Sequence, residues 1–236
     1  MENPFAQSEH AVRLEWALPG ARLLGPAATV TVVVDVLSFT TTLTVALDRG
    51  AVVFPYAWAD DSAREYAVAR DAVLAAGRRT AGPGQVSLSP GSIRAAASFD
   101  RLVLPSPNGS TICAALADTG TRVLAASLRN RSAVAAALVP VLAGGGTVAL
   151  VPAGERWPDG SLRPAVEDLW GAGAVVAALG PADLSPEAAA AAAAYGLVAG
   201  DVPAHLAACA SGMELRSGGF ADDVAIAAEL DASTAV

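Results

Sequence analysis

The hydrophobic pattern of the chain is a series of short uncharged runs, most of them ended by polar residues and followed by a helical stretch. The most uniform run is Thr29–Val34, TVTVVV, in which every residue is β-branched and none is charged. Such a run suits a strand buried on both faces, as in a parallel sheet flanked by helices. Asp35 ends it, and Thr40–Arg49 then reads as a helix stopped by Gly50. Upstream, Ala11–Leu18 reads as an opening strand soon interrupted by Pro19, Gly20 and Gly25. Downstream, Ala51–Tyr56 is a second short strand. Ala59–Ala76 is an amphipathic helix capped by Asp60 or Asp61 and ended by Gly77. Arg78–Ser92 is the longest irregular connection, a kind of loop that is often functional.

Strand and helix then alternate. Arg101–Leu104, Arg122–Ala126 and Thr147–Val151 read as strands, and Thr111–Ala117, Arg131–Leu142 and Pro164–Leu179 as the helices after them. Gly171 and Gly173 inside the last helix predict close packing on a neighbour. Beyond Gly180 only helices are evident, and Asp231 onward reads as a frayed tail. The expectation is an α/β fold with a mostly parallel sheet, helices on its faces and a helical C-terminal portion. One domain over 1–236 is expected, with 181–236 as an optional smaller helical lobe.

Composition narrows the chemistry. With 53% hydrophobic and 16% charged residues, the chain can bury a large core. A net charge of −8 argues against a general nucleic-acid binder. All 15 basic residues are arginine, which removes Schiff-base chemistry, a Ser–Lys dyad and the phosphate-loop lysine together. Two histidines and two cysteines, Cys113 and Cys209, offer no zinc spacing and no disulfide framework. Ser132–Gly154 is uncharged over a bilayer-spanning length, but Pro140 and Gly144–Gly146 break it into helix, turn and strand. Cytoplasm is the default compartment, with no membrane partner.

Four strand ends place polar groups beyond an apolar run: Asp35, Ser106–Thr111, Ser127–Asn130 and Gly154–Arg156. In a doubly wound sheet such ends converge on one crevice. Asp35 is a cation ligand or merely a helix cap. Ser38, Thr40, Thr41 and Thr42 stand where a helix N-terminus favours an anion. Asn108–Gly109 is a ligand or a turn, Asn130 a ligand or an N-cap, and Arg129 a ligand or a solvated turn residue. Glu167 and Asp168 either complement a helix dipole or share a cation with Asp35, in which case oxygen donors alone point to Mg²⁺. Asp222–Asp223 reads as a cap or a solvated pair.

Together these stretches resemble the 2-phosphosulfolactate phosphatase family, Mg²⁺-dependent enzymes associated with coenzyme M synthesis. The resemblance rests on VVVDVLSFTTT (Val32–Thr42), PSPNGST (Pro105–Thr111), SLRN (Ser127–Asn130), VPAG (Val151–Gly154), EDLWGAGAVV (Glu167–Val176) and the closing segment Ser211–Asp231. Some positions depart from it. The family usually shows an arginine where this chain has Ser38, a Gly-Glu-Arg in the loop reading Gly82–Pro83–Gly84, and Asn-Ser-Pro where Leu88–Ser89–Pro90 stands. Pro152 replaces a frequent Cys before Ala-Gly. Arg156, Arg129 and Arg79 are the candidates to compensate for the arginine.

The resemblance implies a Mg²⁺-dependent phosphatase acting on a small phosphorylated, possibly sulfonated, acid. The implied metal set is Asp35, Glu167 and Asp168. The implied catalytic set is Asp35, Asn108, Arg129, Glu155 and Arg156. The substrate would be bound by Ser38, Thr40, Thr41, Thr42, Gly109, Ser110, Thr111 and Asn130. A homodimer is left open. The alternative is a catalytically weak, anion-binding relative that kept the fold.

Overall fold

The segment expected to be most buried is internal to a sheet. In the computed structural model, which describes residues 3–57 and 60–236, Val30–Val34 (β2) is buried at every position and paired on both sides. Numbered along the chain, the other strands are β1 (Val12–Leu14), β3 (Val52–Tyr56), β4 (Val73–Leu74), β5 (Arg101–Pro105), β6 (Arg122–Ala126), β7 (Val148–Pro152), β8 (Glu155–Arg156) and β9 (Leu162–Arg163). They do not form one sheet. A parallel sheet of order β1-β7-β2-β6 and a second parallel sheet of order β3-β5-β4 share the helices between them, and β8-β9 is a small antiparallel hairpin.

Core formation follows the sheets. The larger apolar cluster packs β2 and β7 against the helices Arg131–Ala143, Val166–Leu179 and Pro186–Val198. A second cluster places Phe39 and Leu43 of the helix Phe39–Asp48 on Leu102 and Leu104 of β5. Gly171 lies so close to β2 that an added Cβ would stand 2.7 Å from Val36 and 2.8 Å from Val34. At Gly173 a Cβ would meet the Ala191 carbonyl oxygen at 2.0 Å. The two glycines therefore set the approach of the Val166–Leu179 helix to its neighbours.

Several expected boundaries move. The opening strand is only β1, because Ala17–Leu24 is a helix in which Pro19 occupies the first turn, where no intrahelical N–H bond is lost. The helix expected over Ala59–Ala76 spans Asp61–Val68, with Asp60 Oδ1 accepting the Ser62 N–H at 3.0 Å; Ala59 lies outside the described residues. The loop Arg78–Ser92 closes on a short helix, Pro90–Ala95, capped by Ser89. Asp222 and Asp223 lie within the first turn of the last helix, Ala221–Ala227, rather than before it. The uncharged stretch Ser132–Gly154 divides between a helix and β7. No helix among the described residues is long and apolar enough to cross a membrane.

The C-terminal residues are not frayed. Asp231 accepts the Ser132 N–H at 3.0 Å and pairs with Arg131 at 3.1 Å. Ser233 donates its N–H to the Arg129 carbonyl at 2.8 Å and its hydroxyl to Asp48 at 2.6 Å. These bonds fasten the tail to the β6 end and to the helix that follows β2.

Candidate active site

Asp35 follows β2 directly, and the geometry there makes it both a cap and a tether. Its Oδ1 accepts the Phe39 N–H at 3.1 Å, which caps the helix, and its Oδ2 accepts the Gly109 N–H at 3.0 Å. Its carbonyl accepts both the N–H and the hydroxyl of Thr40, at 2.9 and 2.7 Å. The turn after β2 and the turn after β5 are thus joined, although the strands belong to different sheets.

The hydroxyls expected to cradle an anion are used elsewhere. Thr41 donates to the Val36 carbonyl at 2.7 Å and Thr42 to the Leu88 carbonyl at 2.9 Å, and Thr40, Thr41 and Thr42 are fully buried. Ser110 donates to the Leu104 carbonyl at 2.9 Å and Thr111 to the Ser106 carbonyl at 3.3 Å. Thr40, Thr41, Ser110 and Thr111 thus satisfy nearby carbonyls, a competition open to any Ser or Thr near a helix start, while Thr42 reaches across to the loop after β4. Gly109 likewise gives its N–H to Asp35. Of this second turn, Thr111 and Asn108 reach an open pocket.

Glu155, on the wall of that pocket, belongs to a group of mutually repelling carboxylates with Asp35, Glu167 and Asp168. Asp168 accepts the Val36 N–H at 2.7 Å and the Gly154 N–H at 2.9 Å, so it straps the ends of β2 and β7 together. Glu167 is 2% exposed, and its Oε2 receives the Cys209 thiol at 3.6 Å. Burial, then the charges of Asp35 and Glu167, push the Asp168 carboxyl well above the usual carboxylate range. Asp35 is raised by burial and by Glu167, against the pull of its two backbone N–H bonds and of Arg78. Glu155 is pushed up to about 7 by burial and by the charges of Asp35 and Glu167. Burial, reinforced by these acids, also lifts Cys113 and Cys209 to about 12, so both free thiols are protonated.

The accessible chemistry sits at the rim. Glu155 Oε2 accepts from Asn108 Nδ2 at 3.0 Å, and Arg156 Nε donates to Asn108 Oδ1 at 3.4 Å. All three line a pocket of about 230 Å³ with Thr111, Leu18 and Ala153. An amide held between a titratable carboxyl and a guanidinium can bind an anionic ester and exchange a proton beside it.

The sequence pattern of the family described as 2-phosphosulpholactate phosphatase matches residues 22–236, nearly the whole chain. The chain belongs to this family. No curated protein matches it significantly. Membership makes it a phosphatase of the 2-phosphosulpholactate phosphatase type.

In this member of the 2-phosphosulpholactate phosphatase family the guanidinium beside Ser38 comes from a residue the sequence reading passed over. Arg78 donates through Nη2 to Ser38 Oγ and, at 3.2 Å, to the Leu88 carbonyl, while Nε bonds Asp223 Oδ2 at 3.0 Å. Its side chain is 15% exposed, and its charge lowers the pKa of Asp35. The only sequence signal was its place at the head of the long loop. Arg79 instead lies at the surface, paired with Glu214.

Arg129 and Asn130 are not brought into this site. The Arg129 guanidinium is buried against Thr44 and Asp48, on the later turns of the helix that Asp35 caps, and against Glu229, which follows the last helix. Asn130 closes a capping box with Ser127 and donates to the carbonyls of Ala125 and Ala235. Both hold the β6 end and the C-terminal tail.

Proposed function

We propose that the chain hydrolyses the phosphate ester of a small phosphorylated acid, with Mg²⁺ as its cofactor. The observation that carries this reading is the Asn108–Glu155–Arg156 constellation, which lines a pocket and whose carboxylate feels the buried, repelling acids. Arg156 and the Asn108 amide would bind the phosphoryl oxygens. Glu155, with its pKa near neutrality, suits proton transfer at pH 7. In the hydrolysis the ester P–O bond breaks and a P–O bond to water forms. One proton leaves the water and one reaches the departing alkoxide, and Glu155 would hold a proton between the two events.

The donor chemistry around Asp35, Glu167 and Asp168 is all carboxylate oxygen, which suits a hard cation. The charge balance suits it as well, since each of these acids bears on another. Among the described residues, however, no three such side chains are already grouped as a ligand cage. Held there, Mg²⁺ would neutralise phosphoryl charge.

The test is phosphate release from a panel of phosphorylated hydroxy acids, 2-phosphosulfolactate among them, with Mg²⁺ and with chelator. The expected result is Mg²⁺-dependent release, abolished in Glu155→Gln with folding intact. Absence of release from every member supports the second reading, a weak anion-binding relative. That reading draws on the internal use of the Thr40–Thr42 hydroxyls.

A further inference from the structure

The rim pocket continues beyond the acids. Through Leu18, Thr111 and Arg156 it shares its wall with a second cavity of about 510 Å³. The walls peculiar to this larger cavity are mostly apolar, with Ala75, Ala76, Leu88, Pro105 and Pro107 among them. Arg156, at the junction, is the one charged side chain on its lining among the described residues, and its Nε already faces Asn108. A compact polyanion such as 2-phosphosulfolactate has no apolar surface for such walls. A sulfonate or carboxylate pressed against them would lose its water without gaining partners. An uncharged arm would gain by the same burial.

We infer that the substrate of this phosphatase is a phosphorylated acid bearing an apolar arm of phenyl or branched-alkyl size. The arm lies in the Ala76–Leu88–Pro105 cavity, and the phosphoryl end lies at Asn108, Glu155 and Arg156. The inference rests on the phosphatase reading and deepens it. One compartment carries the Asn108–Glu155–Arg156 cluster and the other adds mainly apolar wall, so together they suit a ligand with one charged and one apolar end, and their shared wall fixes where the ends join. The cavity volume falls within the range typical of small-molecule sites.

The experiment compares matched esters: the phosphate of lactate, the phosphate of 3-phenyllactate and 2-phosphosulfolactate. The phenyl ester should be hydrolysed with a kcat/KM about tenfold or more above both compact esters. Ala76→Leu and Leu88→Phe, which fill the cavity, should erase that advantage while leaving the rate on the lactate ester within about twofold. Melting curves identify a variant that has merely misfolded, and the wild-type comparison stands without either. Equal or better hydrolysis of the compact esters, or an equal loss on all esters in folded variants, overturns the inference and leaves the phosphatase reading intact. If no ester is cleaved, the phosphatase reading fails, and calorimetric binding of the same esters still decides the cavity. Tighter binding of the phenyl ester upholds the arm, and equal binding removes it.

Discussion

Gly109 donates its backbone N–H to Asp35 Oδ2 at 3.0 Å across 74 residues of sequence, and no larger residue fits in its place. A Cβ at Gly109 would stand 2.3 Å from Phe39 Cδ1 and 2.8 Å from that same carboxylate oxygen. The ring of Phe39 is fully buried and has little room to move. The joint between the two sheets therefore depends on the absence of one side chain.

Gly109→Ala is expected to destabilise the fold by about 1–3 kcal/mol through overpacking. It should also weaken substrate turnover, since the shift moves Asn108 next to it. Urea denaturation and kcat/KM on a competent ester check both effects. An alanine variant with wild-type stability would show that the turn adapts freely.

Asp35→Asn and Asp168→Asn each leave one amide oxygen where two oxygens accepted backbone N–H groups. The lost bond costs about 1–3 kcal/mol, offset in part by relief of repulsion between neighbouring acids. Activity should fall by roughly two orders of magnitude or more, with the Mg²⁺ response gone. Glu167→Gln is the cleaner probe, because its recorded side-chain partner is the Cys209 thiol at 3.6 Å. A Gln variant that keeps its fold and its Mg²⁺ response removes Glu167 from the metal set.

The raised carboxyls make stability depend on pH in a defined sense. Glu155 titrates at about 7 in the folded chain instead of near 4.5. Between those values the folded chain holds a proton that the unfolded chain has released, so stability falls as pH rises through that window. Asp35 and Asp168 are raised too and act in the same direction. The melting temperature should therefore be higher at pH 5 than at pH 8. Mg²⁺ should raise it at pH 8 and do less at pH 5, where protons compete for the same carboxylates. A melting temperature rising with pH without metal would contradict this charge arrangement.

Arg129 and Arg78 should separate structure from function. Arg129→Gln strips a buried guanidinium from Asp48 and Glu229, and about 3 kcal/mol of stability should go with it. The folded fraction should keep its kcat/KM. Arg78→Gln removes the guanidinium beside Ser38 and should raise KM or lower kcat severalfold at least. Paired melting and kinetic measurements on the two variants read this out. Activity loss in Arg129→Gln beyond its unfolded fraction would return Arg129 to the catalytic set.

What the sequence disclosed was local. An unbroken β-branched run reads as an internal strand because both its faces need apolar cover, and the carboxylate at its end stands where such sheets open. Glu167 and Asp168 were legible because two acids opening an apolar helix stand out. The division into two sheets was not legible, since β3 and β5 are apolar whichever strand they pair with. Nor was the use of the Thr40–Thr42 hydroxyls, which depends on which carbonyl comes within reach as the chain turns. The capping role of Asn130 was legible as an alternative, but the placements of Arg129 and Arg78 were not, because their partners lie far away in sequence. Asp48 and Glu229 are 81 and 100 residues from Arg129, and Asp223 is 145 from Arg78.

The fastening of residues 229–235 sets the order in which the site can assemble. Ser233 grips Asp48, Glu229 grips Arg129, and the Ala235 carbonyl receives Asn130, so the far end of the helix begun by Asp35 is held by a residue 185 positions later. Contacts of such separation close a long loop and form after the local ones. The strand that leads to Asp35 can therefore pair before the helix that follows it is held, and loss of residues 229–236 would leave that helix unfastened with both sheets still paired.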